Sequence, residues 1–150
     1  MSLLVLVVVG TAGLWFGWVD DARAHCQVPC GIYDDAARIA RLKEDATTIG
    51  KAIAQIGELG AGGPKALNQA VRWVSTKEQH ATHIIDVVSE YFLTQKVKPV
   101  AADAEGYDAY LKKLAAHHAV MVAAMKTKQD AAPATVESLN KAIDALAAYY

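Results

Sequence analysis

From Asp34 to the C-terminus the apolar residues return every three or four positions, a period that specifies helix. The first segment carries Ile39, Leu42, Ala46, Ile49, Ile53 and Ile56 and stops at the loop GAGGP. The second starts near Pro64 and places Leu67, Val71, Val74, Glu78, Ala81, Ile85, Val88 and Phe92 on one seam. The third places Tyr107, Leu111, Leu114, His118, Met121 and Met125 together, and the fourth Val136, Leu139, Ile143, Leu146 and Tyr150. The proline-bearing stretches KVKPVAAD and DAAP separate them. Asp34 or Asp35 can cap the first helix by accepting from its unpaired amides. Short connections between amphipathic helices make sequence neighbours run antiparallel. The expected fold is all-α: an up-down-up-down antiparallel four-helix bundle over residues 34–150, preceded by an irregular N-terminal metal hook.

Residues 3–19, LLVLVVVGTAGLWFGWV, carry no charge. Asp20, Asp21 and Arg23 follow, and Ala22-Arg23-Ala24 has the small-x-small form of a cleavage site. Residues 1–24 therefore read as a signal peptide, cleaved after Ala24 on export to the periplasm or the exterior. No Lys or Arg precedes the run, and its length is sufficient to span a bilayer, so an uncleaved anchor is the alternative and the one route to a membrane. Lys and Arg total 15 against 16 Asp and Glu, and no basic tract occurs, which argues against nucleic acid as a partner.

The only two cysteines, Cys26 and Cys30, stand directly behind that site, with His25 in front of them. Two cysteines four apart in an exported protein are compatible with a small disulfide loop. A structural zinc site wants four side-chain ligands, and only three are nearby. Cleavage after Ala24 alters the donor set, because His25 then contributes a free amine as well as its imidazole. With the Cys26 amide nitrogen and the two thiolates these form a plane of two nitrogens and two sulfurs, with an axial imidazole. Such tetragonal geometry suits Ni(II) or Cu(II). Pro29 stiffens the intervening turn, and Gly31 lets the backbone bend behind Cys30.

The stretch HCQVPCGIYD resembles the nickel hook of the nickel superoxide dismutases, H-C-x-x-P-C-G-x-Y. His25, Cys26, Pro29, Cys30, Gly31 and Tyr33 match it, and weaker similarity continues in KEQ at 77–79 and EYF at 90–92. The resemblance implies a four-helix bundle, a homohexamer, a nickel ion and the dismutation of superoxide to dioxygen and hydrogen peroxide through Ni(III)/Ni(II). It implies that His25, Cys26 and Cys30 are the nickel ligands, over residues 25–33. It implies that Tyr33 lies beside the metal and limits access to small anions, with a similar part for Tyr91. The family's glutamate on the first helix is replaced by Ala40 or Arg41, its arginine after KEQ by His80, and its aspartate after the first cysteine by Gln27. His80 is then a candidate hydrogen-bond partner for the axial imidazole, the alternative being a partly exposed helix histidine.

Glu78 interrupts an apolar seam, where a carboxylate is costly unless partnered: either it is the anionic partner of His25, or it pairs with a lysine or histidine of the bundle, or the seam drifts outward there. His117 and His118 diverge by about 100° on a helix and read as packing residues. His80 and His83 share a face, but no carboxylate pair accompanies them for a di-iron site. Trp73, Tyr107, Tyr110, Met121 and Met125 also read as packing. The rival function is an exported nickel- or copper-binding or delivery protein without turnover. A third reading is a disulfide-bonded, membrane-anchored bundle without metal.

Overall fold

The computed structural model describes residues 31–60 and 62–150. The proposed signal segment and His25, Cys26 and Cys30 lie outside the described residues. Helix α1 spans Asp35–Leu59. Asp34 caps it, its Oδ1 accepting from the Ala37 amide at 2.8 Å. Asp35 is thereby left for other work. Helix α2, Pro64–Asp86, begins on a proline, whose missing N–H costs nothing in a first turn. It runs directly into a π-helix, Val87–Lys96. The wider turns are visible in bonds to the fifth preceding carbonyl: Val97 N–H to Phe92 at 2.9 Å, and the Thr94 hydroxyl to Ser89 at 2.7 Å. That winding buries two adjacent pairs, Val87 with Val88 and Tyr91 with Phe92. Helices α3, Tyr107–Gln129, and α4, Pro133–Ala147, complete the chain.

Each helix packs on its sequence neighbours and α1 closes against α4, giving the expected four-helix bundle. Ile39, Leu42, Ala46, Ile49 and Ile53 of α1 meet Leu139, Ile143 and Leu146 of α4 in one core with Ile84, Phe92 and Val120. Burial of these side chains contributes roughly 1.5–3 kcal/mol each before the entropy of ordering is subtracted.

Two seams differ from expectation. On α2, Leu67, Val71 and Val74 stand outside, 63%, 56% and 40% exposed. Lys77 explains the difference. Its buried ammonium donates to the Thr127 and Lys128 carbonyls at the end of α3, so α3 terminates level with Lys77. The preceding turns of α2 extend past that end. On α3 the inner residues are His117, Val120, Ala124 and Thr127, and His118, Leu111 and Met125 are exposed. The helix is rotated because the His117 ring has partners inside: Nδ1–H donates to the Lys113 carbonyl at 2.7 Å and Nε2 accepts from the Tyr150 hydroxyl at 2.9 Å. Glu78 pairs with Lys77 at 2.8 Å on a seam that has drifted outward, in line with both bundle readings of this residue; its reading as a partner of His25 lies outside the described residues.

Candidate functional site

The described chain begins where the hook ends. Gly31 has φ +88°, the left-handed region in which a side chain is strained. This is the bend behind Cys30 that the sequence suggests. Two residues later, Tyr33 meets Tyr91 of the π-helix edge to face, with ring centroids 6.0 Å apart. The structure thus brings together the two tyrosines singled out by resemblance.

Three further residues hold that pair, and none was selected from sequence. The Tyr91 hydroxyl donates to Asp35 Oδ1 at 2.7 Å. Lys96 Nζ lies 3.1 Å from Asp35 Oδ2 and 4.5 Å from the centre of the Tyr33 ring. The Arg38 guanidinium covers the Tyr91 ring at 5.0 Å. Burial, then the bond to Asp35, pushes the Tyr91 phenol up to about 12, so it is a neutral donor across the physiological range. Arg38 and Arg41 line the open groove beside Gly31 and Tyr33. Around one tyrosine pair the fold places three cations with Asp35 between them.

A second cluster lies further along α1. The Asp45 carboxylate is 1% exposed and takes one imidazole on each oxygen: His80 Nδ1 on Oδ1 and His83 Nδ1 on Oδ2, both at 2.6 Å. A carboxylate has no proton to give, so both Nδ1 atoms carry the hydrogen and both Nε2 atoms are left for other partners. Arg41 Nε approaches Asp45 Oδ1 to 3.9 Å. Arg41 also belongs to both grooves, the one at Tyr33 and the one at His80. Asp45 was legible in principle. It falls three residues after Leu42, on the inner face of α1, where an acid needs a partner.

Among the described residues no group of three His, Cys, Asp or Glu is arranged to hold a metal ion. The residues that could hold a metal are His25, Cys26 and Cys30: an imidazole, an amide nitrogen and two thiolates, joined by a free amine if the chain is cleaved after Ala24, would suit nickel.

Comparison with protein families finds that the model described as nickel-containing superoxide dismutase matches residues 20–150. Neither a curated protein nor a solved structure matches.

Proposed function

This chain belongs to the nickel-containing superoxide dismutase family, and we propose that its own hook and the two clusters beside it form the working site. It is a nickel-dependent oxidoreductase that disproportionates superoxide to dioxygen and hydrogen peroxide. The nickel ion, when bound, supplies the one-electron couple. The ligands are His25, through amine and imidazole, Cys26, through amide nitrogen and thiolate, and Cys30, through its thiolate.

Tyr33 and Tyr91 guard access. Their edge-to-face contact and the Asp35 hydrogen bond hold both rings still, so the opening admits a diatomic anion and obstructs larger ones. Arg38 and Arg41 line that opening and can attract an anionic substrate, Arg41 while paired with Glu44, and Lys96 while paired with Asp35. His80 is a positioning residue. Asp45 fixes its Nδ1–H, which leaves Nε2 as an acceptor for the ring N–H of His25.

The observation that carries this reading is the meeting of Tyr33 with Tyr91 directly after a left-handed Gly31. Residues 1–24 are a signal peptide, and export precedes the exposure of the His25 amine. A bilayer is reached only by a chain that keeps that segment. The apolar stripe Leu67, Val71 and Val74 supports assembly into a homohexamer, because a contiguous exposed apolar surface favours association.

Metal content, N-terminal mass and superoxide consumption of the natively exported protein test the reading together. It requires about one nickel per chain, His25 as first residue and rapid metal-dependent loss of superoxide. Nickel or copper binding without turnover would favour the delivery protein instead. A mass two hydrogens short with residues 1–24 retained would identify the disulfide-bonded anchor.

A further inference from the structure

We propose that the aromatic file from Tyr33 to Tyr150 is a hole relay, which carries one-electron oxidation away from the hook to the C-terminal edge of the bundle. The rings are in continuous contact. Tyr33 meets Tyr91 at 6.0 Å, Tyr91 meets Phe92 at 5.0 Å, and Phe92 meets Tyr150 at 4.5 Å between centroids. The neighbouring Tyr149 is exposed.

Ring contact alone is ordinary packing. What sets this file apart is that each of its two hydrogen-bonded phenols faces a base. Tyr91 donates to the Asp35 carboxylate at 2.7 Å, and Tyr150 donates to His117 Nε2 at 2.9 Å. A phenol loses an electron readily only when its proton can leave at the same time, because the protonated phenol cation is very acidic. Both acceptors are in the required state. Asp35 is paired with Lys96, and burial keeps His117 below its ordinary range and therefore neutral. Each ring also carries a cation, Arg38 at 5.0 Å on Tyr91 and Lys113 at 4.2 Å on Tyr150, so this influence acts on both ends.

The steps balance. Hydrogen peroxide, product of the family's reaction, takes one electron from superoxide, the family's substrate, and splits into a hydroxyl radical and hydroxide, the superoxide leaving as dioxygen. That radical takes an electron from Tyr91 and becomes hydroxide, and the Tyr91 proton passes to Asp35. Tyr150 then returns an electron to Tyr91 through Phe92. The Asp35 proton goes back to Tyr91 as the Tyr150 proton moves to His117. The net result is a neutral Tyr150 radical beside an imidazolium, with Tyr91 and Asp35 restored. A thiol in solution ends the sequence by giving its hydrogen atom, and His117 loses its extra proton to solvent as Asp35 had gained and returned its own. The proposal rests on the family activity only for the source of the oxidant.

The test uses the mature, nickel-loaded chain, its Tyr150→Phe variant and its Phe92→Leu variant. Each is exposed either to hydrogen peroxide or to photogenerated ruthenium(III) tris-bipyridine. Freeze-quenched paramagnetic resonance with ring-deuterated tyrosine reads the radical, and peptide mass spectrometry reads oxidation at residues 25–33 and at Tyr91. The native chain should show a radical on Tyr150, and Tyr150→Phe should replace that signal by one on Tyr91, while superoxide dismutation is unchanged. Both variants should suffer several-fold more oxidation at the hook and Tyr91. If Phe92→Leu loses helix content, Tyr150→Phe decides alone, since it removes one oxygen and keeps the ring. A Tyr150 radical with ruthenium but none with peroxide would support the relay and count against peroxide as the source of its oxidant. The same radical signal and equal damage in the native chain and Tyr150→Phe, with both oxidants, would overturn the relay.

Discussion

Asp45 and His80 meet across α1 and α2 at 2.6 Å, and the carboxylate that makes this contact is almost completely enclosed. The pairing leaves His80 with one committed nitrogen and one free nitrogen. Replacement of the carboxylate by an amide removes the charge that dictates which nitrogen bears the hydrogen. Asp45→Asn should therefore lower superoxide turnover by roughly 10- to 100-fold, the range typical of groups that orient a metal-bound imidazole. His80→Ala should act in the same direction, with nickel content largely retained. The double variant should be little worse than either single one, since both act through one bond. Stopped-flow superoxide decay with parallel metal analysis measures this, and full activity in Asp45→Asn would remove His80 from the site.

Cys26→Ser and Cys30→Ser should each abolish nickel binding and activity. Thiolates are what bring a nickel couple between the two superoxide half-reactions, and a serine hydroxyl is neither soft nor anionic. Circular dichroism should show unchanged helix content, because the core begins at Ile39, well past both positions. Activity retained in either variant would contradict the ligand assignment.

An alanine inserted between the cleavage site and His25 converts the His25 amine into an amide, which is not a neutral donor. The imidazole and both thiolates persist, so some nickel should still bind. Dismutation should drop to background in a fully folded bundle. Native turnover by the extended chain would show that the amine is not a ligand.

His117 makes stability depend on pH. Burial lowers its pKa in the folded state from an ordinary 6.5, so the unfolded chain takes up a proton first as pH falls. Stability is then present above that value and is lost as pH drops from it toward the lower folded value. The melting temperature of the native chain should fall over that window. His117→Gln, which keeps a hydrogen-bonding side chain without a titration, should show a smaller fall. Parallel melting curves would refute the assignment.

The bundle was legible because α1 and α4 obey the rule that apolar means inside: Ile39, Leu42, Ala46, Ile49 and Ile53, and Leu139, Ile143 and Leu146, are all in the core. The rule failed where a polar residue had a private partner. His117 took the inner position from His118 because Tyr150 and the Lys113 carbonyl satisfy its ring. Lys77 took it from Glu78 because the end of α3 offers carbonyls to an ammonium. Tyr150 and the end of α3 are both distant in sequence from the residues they satisfy, so periodicity could not reveal them. At the site, Tyr33 and Tyr91 were found by resemblance and Asp35 and Asp45 were not. Asp45 falls at an inner position of α1, which periodicity marks, but its partners His80 and His83 lie on another helix; Asp35 carries no such mark until the π-helix it faces is known.

The π-helix has a consequence for inheritance. It differs from an α-helix by a residue held in excess, so a one-codon deletion can restore ordinary winding without breaking the helix. A deletion between Tyr91 and Lys96 would keep Tyr91 in the core and turn Lys96 by about 100°, away from Asp35 and the Tyr33 ring. The charge at the mouth of the site is therefore adjustable by a single indel that leaves the ligands untouched, provided Phe92 stays in the core. Lineages facing different superoxide loads or ionic surroundings could reset the substrate's approach in one mutational step.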